Sequence, residues 1–181
     1  MLYGISARRV NSFLYGDDKY DRIWFPSTPR SSTVVQTSNK VSSGPLEVPL
    51  KVMSTAIMPN ISTDSISLTW NTTITNKFMI YIHFAEVEIL SSNQTRELNI
   101  YLNEDHLYGP FSPSTNTVTL KSTSPFTGFS SYTIKINKTL SSTLPPVINA
   151  LEIYRPKQFQ LPQTEDQDGM CYIYTCWISK L

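Results

Sequence analysis

Glycine, charge, cysteine and histidine are all scarce in this chain of 181 residues, and each scarcity removes a class of function. Six glycines leave no Gly-rich loop of the kind that cradles phosphate, so no nucleotide-binding motif is present. Charged residues make up 16% with a formal net charge of +1, which is far from the concentrated Lys/Arg face that phosphate backbones require. Nucleic acid is therefore excluded as an expected partner. Both cysteines, Cys171 and Cys176, fall in the last dozen residues, so the rest of the chain carries no disulfide framework. A lone C-x4-C without a second ligand pair is a poor metal signature, and no metal or cofactor is expected. No apolar run reaches the roughly 20 residues of a membrane span. The start, MLYGISARRVNSF, lacks the apolar core of a signal peptide.

Ser and Thr supply about a quarter of the residues, and the apolar runs are dominated by Val, Ile, Tyr, Phe and Thr. That composition favours strands. Apolar side chains recur at every second position in Phe78, Ile80, Ile82 and Phe84, then in Leu98, Ile100 and Leu102, as strands with one buried face require. The same alternation sets Ile66, Leu68 and Trp70 together, and Tyr132, Ile134 and Ile136. Val147, Leu151 and Ile153 share a face in the final segment, with Asn149 among them; a buried amide there needs backbone partners. Val48 to Val52 and residues 117–120 read as further strands, and residues 31–46, with a Gly44-Pro45 turn signal, as a loop. Phe84 would share its face with Glu86 and Glu88, which predicts a bulge in FAEVEI. Periodicity alone supports a sandwich or barrel, with no helix of ten residues.

The phrase HFAEVEIL, then Asn93, then RELNIYLN resembles the malectin-like extracellular domain of plant receptor-like kinases, in the branch that also carries leucine-rich repeats. DDKYDRIWFP at 17–26, EVPLKVMSTA at 47–56 and STLPPVINALEIYRP at 142–156 agree in the same order along the chain. Leu98 departs from the family's usual aromatic residue. The resemblance implies an antiparallel β-sandwich of jelly-roll type and a second lobe whose first lobe is missing. It divides the chain into 1–30, the end of the first lobe and its linker; 31–160, the sandwich; and 161–181, a tail outside the family pattern. Gly169-Met170-Cys171 can be encoded across a plant intron donor, so that tail reads as intron read-through that would be disordered or loosely packed. A secretory parent fits poorly with a chain lacking a leader, and a fragment of a longer product resolves the conflict.

Chemistry has few candidates. His83 lies mid-strand as a structural histidine, and His106 lies in the turn NEDHLYGP. Glu86 and Glu88 are spaced as a glycosidase pair, but a glutamate there can equally pair with Arg96, and no catalytic residue is assigned. Four Asn-x-Ser/Thr acceptors, Asn60, Asn71, Asn93 and Asn137, fall in expected loops or at strand ends where a glycan could be added. Tyr108, Phe111, Phe126 and Phe129 lie among Pro and Gly turn formers, and such rings can stack on a sugar or peptide. The resemblance implies a non-catalytic recognition lobe at the plasma membrane's outer face. Its expected partners are cell-wall carbohydrate, a secreted peptide or a co-receptor. The alternative is a stand-alone carbohydrate-binding, lectin-like module.

Overall fold

The computed structural model describes residues 2–3, 13–14, 16, 18–29, 31–60 and 65–156. The tail at 161–181, and the read-through expectation with it, lies outside the described residues. Two-residue strands β1 (Leu2–Tyr3), β2 (Phe13–Leu14), β3 (Ile23–Trp24) and β4 (Pro26–Ser27) come first, pairing β1 with β4 and β2 with β3. They are followed by β5 (Ser32–Gln36), a short helix α1 (Leu50–Met53), β6 (Thr55–Pro59), β7 (Ser65–Asn71) and β8 (Met79–Phe84). The series ends with β9 (Leu98–Leu102), β10 (Asp105–Phe111), β11 (Val118–Lys121), β12 (Ser131–Lys138) and β13 (Ala150–Tyr154).

Two antiparallel sheets face each other, one in the order β10-β9-β12-β7 and the other β11-β8-β13. From β7 onward the chain changes sheet at every connection except the β9–β10 turn, the crossing pattern of a jelly roll. The alternating residues fill the space between the layers. Ile80, Ile82, Phe84, Leu98, Ile100, Leu102, Ile134 and Ile136 belong to one buried cluster that draws on both sheets. In register, Ile134 stands between Leu102 and Leu68, and Ile136 between Ile100 and Ile66. Burying each such side chain is worth about 1.5–3 kcal/mol, which makes this two-sided filling the main source of stability.

Four local expectations fail, each for a physical reason. Val48 to Val52 is not a strand, because Pro49 caps α1 and its carbonyl accepts from Val52 and Met53 N–H at 2.9 and 3.1 Å. Residues 31–46 are not all loop: β5 pairs with β6 along its length, an edge strand whose half-exposed STVVQ carries no clean alternation. The FAEVEI segment does not bulge within the sheet. The ladder stops at Phe84, and Ala85, Glu86 and Val87 continue buried at 0%, 5% and 4% exposure, with Glu86 N–H donating to Ser114 O at 2.8 Å. Tyr108 and Phe111 lie in β10, not in a loop, because irregular register shifts let the strand tolerate Gly109-Pro110.

Gly109 is required where it stands. Its φ is +121°, and a Cβ would come within 2.6 Å of both Asn99 Oδ1 and Leu98 O. We expect Gly109→Ala to lose about 1–3 kcal/mol of stability, read as a lowered urea midpoint with an unchanged slope.

Beside the β9–β12 ladder, Glu97 accepts from Thr139 Oγ1 at 2.6 Å and Ser141 Oγ at 2.7 Å. The Thr139 bond first, then the Ser141 bond, hold this carboxylate below its ordinary pKa against a small opposing effect of burial. A folded-state value below the unfolded one stabilises above the ordinary carboxylate range, and the gain is lost as pH falls through the lowered value. Glu97→Gln is therefore expected to flatten the acid limb of the stability profile below about pH 4, measured by thermal unfolding at stepped pH.

Candidate functional site

Three clusters gather the polar and aromatic residues singled out by the sequence, and they serve different ends. In the first, Glu86 and Glu88 meet Arg96. The Arg96 side chain is fully buried, and its Nη1 donates to Pro145 O at 2.9 Å. Nη2 pairs with Glu88 Oε2, while Nε and Glu86 Oε2 lie 2.9 Å apart as an ion pair, off the line a hydrogen bond needs. Glu86 Oε1 also accepts from Glu88 N–H at 3.0 Å. One guanidinium thus engages both carboxylates, which is a structural clasp at the end of β8 rather than an acid and base flanking a substrate.

The second cluster explains His83. It is fully buried, with Nε2 donating to Glu152 Oε1 at 2.8 Å and Nδ1 bonded to Thr119 Oγ1 at 2.9 Å. Glu152 also receives Arg22 Nη1 at 3.2 Å and the Tyr154 hydroxyl. Arg22 Nε reaches both oxygens of Asp18 at 3.0 Å, and Trp24 Nε1 donates to Asp18 Oδ2 at 2.7 Å. Burial works to lower the Arg22 pKa, but the charge of Glu152 and the bond and charge of Asp18 outweigh it and raise the value. Burial, then the Glu152 carboxylate, push the Tyr154 phenol well up. These residues tie the DDKYDRIW segment to β8 and β13, so the motif is a fastening. Among the described residues no group of three His, Cys, Asp or Glu is placed to hold a metal. No helix among them is long and apolar enough to cross a membrane.

The third cluster lies at the opposite end of the sandwich from Arg96. There a cavity of about 90 Å3 is lined by Leu102, Leu107, Phe126, Phe129 and Tyr132 on its apolar side, and by Asn103, Asp105, His106 and Thr127 elsewhere. Phe126 is fixed by paired backbone bonds to Phe78 at 2.8 and 2.9 Å. Phe129 is 52% exposed and meets Tyr132 edge-on at 5.7 Å. Tyr132 stacks on Trp70 at 5.4 Å.

Of the four aromatic residues marked in the sequence, the structure brings two together here. Tyr108 and Phe111 instead form an edge-on pair at 5.4 Å along β10, with Phe111 packed on Phe84 at 5.1 Å. The sequence marks Tyr132 only as core and Asp105 only as an acidic neighbour of His106 in a solvated turn, and it gives no signal for Leu107. A tyrosine placed by alternation among isoleucines is itself a signal, because a buried hydroxyl needs a partner.

The acceptor asparagines also divide. Asn60, Asn71 and Asn93 are exposed, at the end of β6, the end of β7 and in the β8–β9 connection. Asn137 sits inside β12 opposite Asn99, with its Oδ1 buried.

Comparison with known proteins places this geometry. The family model for the malectin-like domain matches residues 3–156. A probable LRR receptor-like serine/threonine-protein kinase of Arabidopsis thaliana is 37% identical over 158 residues, covering 85% of this chain and 18% of the relative. A second such kinase from the same plant is 40% identical over 163 residues, covering 86% and 19%. The chain thus spans less than a fifth of the length of the curated relatives it matches. Among solved structures, the ANXUR1 extracellular domain of Arabidopsis thaliana aligns with a TM-score of 0.64 at 15% identity, covering 85% of this chain and 52% of that one. A structure of the plant peptide RALF23 in complex with FER and LLG2 aligns with a TM-score of 0.62 at 14% identity, covering 81% and 46%. At such identity these structures speak to the fold, and they share it. By its family match and its relatives, this chain belongs to the malectin-like domain family found in plant leucine-rich-repeat receptor-like kinases.

Proposed function

We propose that this chain is a non-catalytic recognition lobe of the extracellular part of a plant receptor-like kinase, facing outward from the plasma membrane. Its contact surface is the sandwich end that carries Phe126 and Phe129. The observation that supports this most is the contrast between the two ends of the fold. Glu86 and Glu88 are consumed by Arg96, whereas Phe129 stands half in water at the lip of a cavity. Exposed rings on a stiff scaffold are the usual anchors of a protein contact.

A secreted peptide, read together with a co-receptor, is the favoured ligand, in keeping with the peptide and LLG2 bound to the structural relative FER. A wall carbohydrate is the second reading, favoured by the exposed Phe129 ring with Asp105 nearby. The kinase that would carry the signal lies outside this chain. The test is a full-length receptor with Phe126→Ser and Phe129→Ser, stimulated with apoplastic fluid and read by kinase autophosphorylation. The response is expected to fall with surface abundance unchanged, while Glu86→Gln leaves the stimulus dependence intact. An undiminished response in the double variant would contradict the proposal.

Passage through the secretory pathway belongs to the same proposal. Glycans are expected on Asn60, Asn71 and Asn93 and absent from Asn137, whose amide oxygen is buried in the ladder. Mass spectrometry of glycopeptides from plant-expressed protein checks this site by site.

A further inference from the structure

We infer that the cavity at the Phe129 end is a socket for one arginine side chain of a protein partner, an inference that rests on reading that end as the recognition surface. Size excludes most alternatives. The cavity of about 90 Å3 is small and opens to solvent. Small-molecule pockets usually run to about 300–1,000 Å3, so a whole pyranose ring fits it poorly except by stacking at the exposed Phe129, whereas the tip of one side chain fits inside. A ring forced in would also press its hydroxyls on Leu102 and Leu107, where nothing can bond them.

The chemistry of the walls selects the occupant. Tyr132 is only 1% exposed and its hydroxyl is buried out of reach of the cavity, so this residue backs the site as ring surface and offers an incoming group no hydrogen bond. Asp105 offers an acceptor-only carboxylate with no ion pair among the described residues. Its neighbour Glu104 has Lys135 at 3.9 Å, so the turn is acidic and lightly countered. Asn103 is held in place, its Oδ1 accepting from Thr133 N–H at 2.8 Å and its Nδ2 donating to Ser131 O at 3.3 Å. Thr127 already donates to Ile74 O at 3.3 Å.

What remains is aromatic faces, the His106 imidazole and the Asp105 carboxylate. These are an anionic acceptor and π-surfaces grouped around one small space. A guanidinium is planar, cationic and rich in donors; it stacks on rings and bonds a carboxylate with two parallel N–H groups. Its aliphatic stem suits the leucine wall. A lysine ammonium is compact and strongly hydrated and cannot use the rings and the carboxylate in the same way.

The test titrates the isotope-labelled full chain with acetyl-Gly-Arg-Gly-amide, its lysine and citrulline counterparts, and maltose, following backbone amide resonances by NMR. The arginine peptide is expected to shift Asp105, His106, Thr127 and Phe129 saturably, at least about tenfold more tightly than citrulline. Asp105→Asn should weaken it about tenfold. Equal binding of arginine and citrulline peptides, or shifts confined to other residues, would overturn the inference. Shifts at these residues with maltose and none with the arginine peptide would also overturn it, yet would leave the recognition surface standing. The receptor-level loss expected for Phe126→Ser and Phe129→Ser tests that surface separately.

Discussion

Arg96→Ala is expected to lower the unfolding free energy by about 3–5 kcal/mol, the cost of stranding buried charge whose partner has been removed. Glu86 is 5% exposed, and its oxygen beside Arg96 has no other partner. A native domain has only about 5–15 kcal/mol in hand, so this single change leaves a large unfolded fraction. Glu88 suffers less, because its side chain is 42% exposed and water can replace the guanidinium. Combining Arg96→Ala with Glu86→Gln should therefore recover part of the loss, since the stranded charge is gone. Arg96→Lys should fall between, because one ammonium cannot span two carboxylates and the Pro145 carbonyl. Urea denaturation of the four proteins checks the order. A loss below about 1 kcal/mol for Arg96→Ala would mean that the clasp is no stronger than a surface pair.

Asn149→Leu is expected to cost about 3 kcal/mol or more, through three unmade hydrogen bonds rather than a lost contact. The amide is fully buried: Oδ1 accepts from Ala85 N–H at 2.7 Å, and Nδ2 donates to Met53 O at 2.9 Å and Thr55 O at 3.0 Å. One side chain thus joins the start of β13 to the end of α1, the start of β6 and the point where β8 leaves its sheet. Leucine has the same branched set of heavy atoms with bulkier methyls, so no cavity opens, and any crowding adds to the loss. Asn149→Asp makes a sharper comparison. It keeps the acceptor for Ala85 but points a carboxylate at two carbonyls, so it should be destabilised near neutral pH and partly relieved on acidification, when the protonated group can donate. Thermal unfolding of both variants at two pH values separates these effects.

The residues that made the sequence readable are those whose partners lie within their own strand pattern. Ile80, Ile100 and Ile134 announce their burial by alternation, and each is 1% exposed or less. Asn149 announced its need for backbone partners because it sat among apolar neighbours. Edge elements were illegible for the converse reason. β5 and β10 have one side in water, so STVVQ carries no clean period and DHLYGPF looks like turn chemistry. α1 was lost because Pro49 and the apolar residues after it suit a strand entry as well as a capped turn.

Long-range charge pairing was also beyond local reasoning. Arg22 and Glu152 are 130 residues apart, and only the folded sandwich brings them to 3.2 Å. The aromatic end was half legible. Phe126 and Phe129 stood out by their turn formers, while Tyr132, their partner from the core, was concealed by the alternation that placed it.

On the proposed function, recognition belongs to the Phe129 end of the sandwich and structure to the Arg96 end. Hydrogen exchange on the intact receptor ectodomain, before and after addition of the apoplastic fraction that activates the full-length receptor, distinguishes the two ends. Slowed exchange should concentrate in residues 103–107 and 122–130. Slowed exchange confined to residues 85–97, around Glu86, Glu88 and Arg96, would contradict the claim.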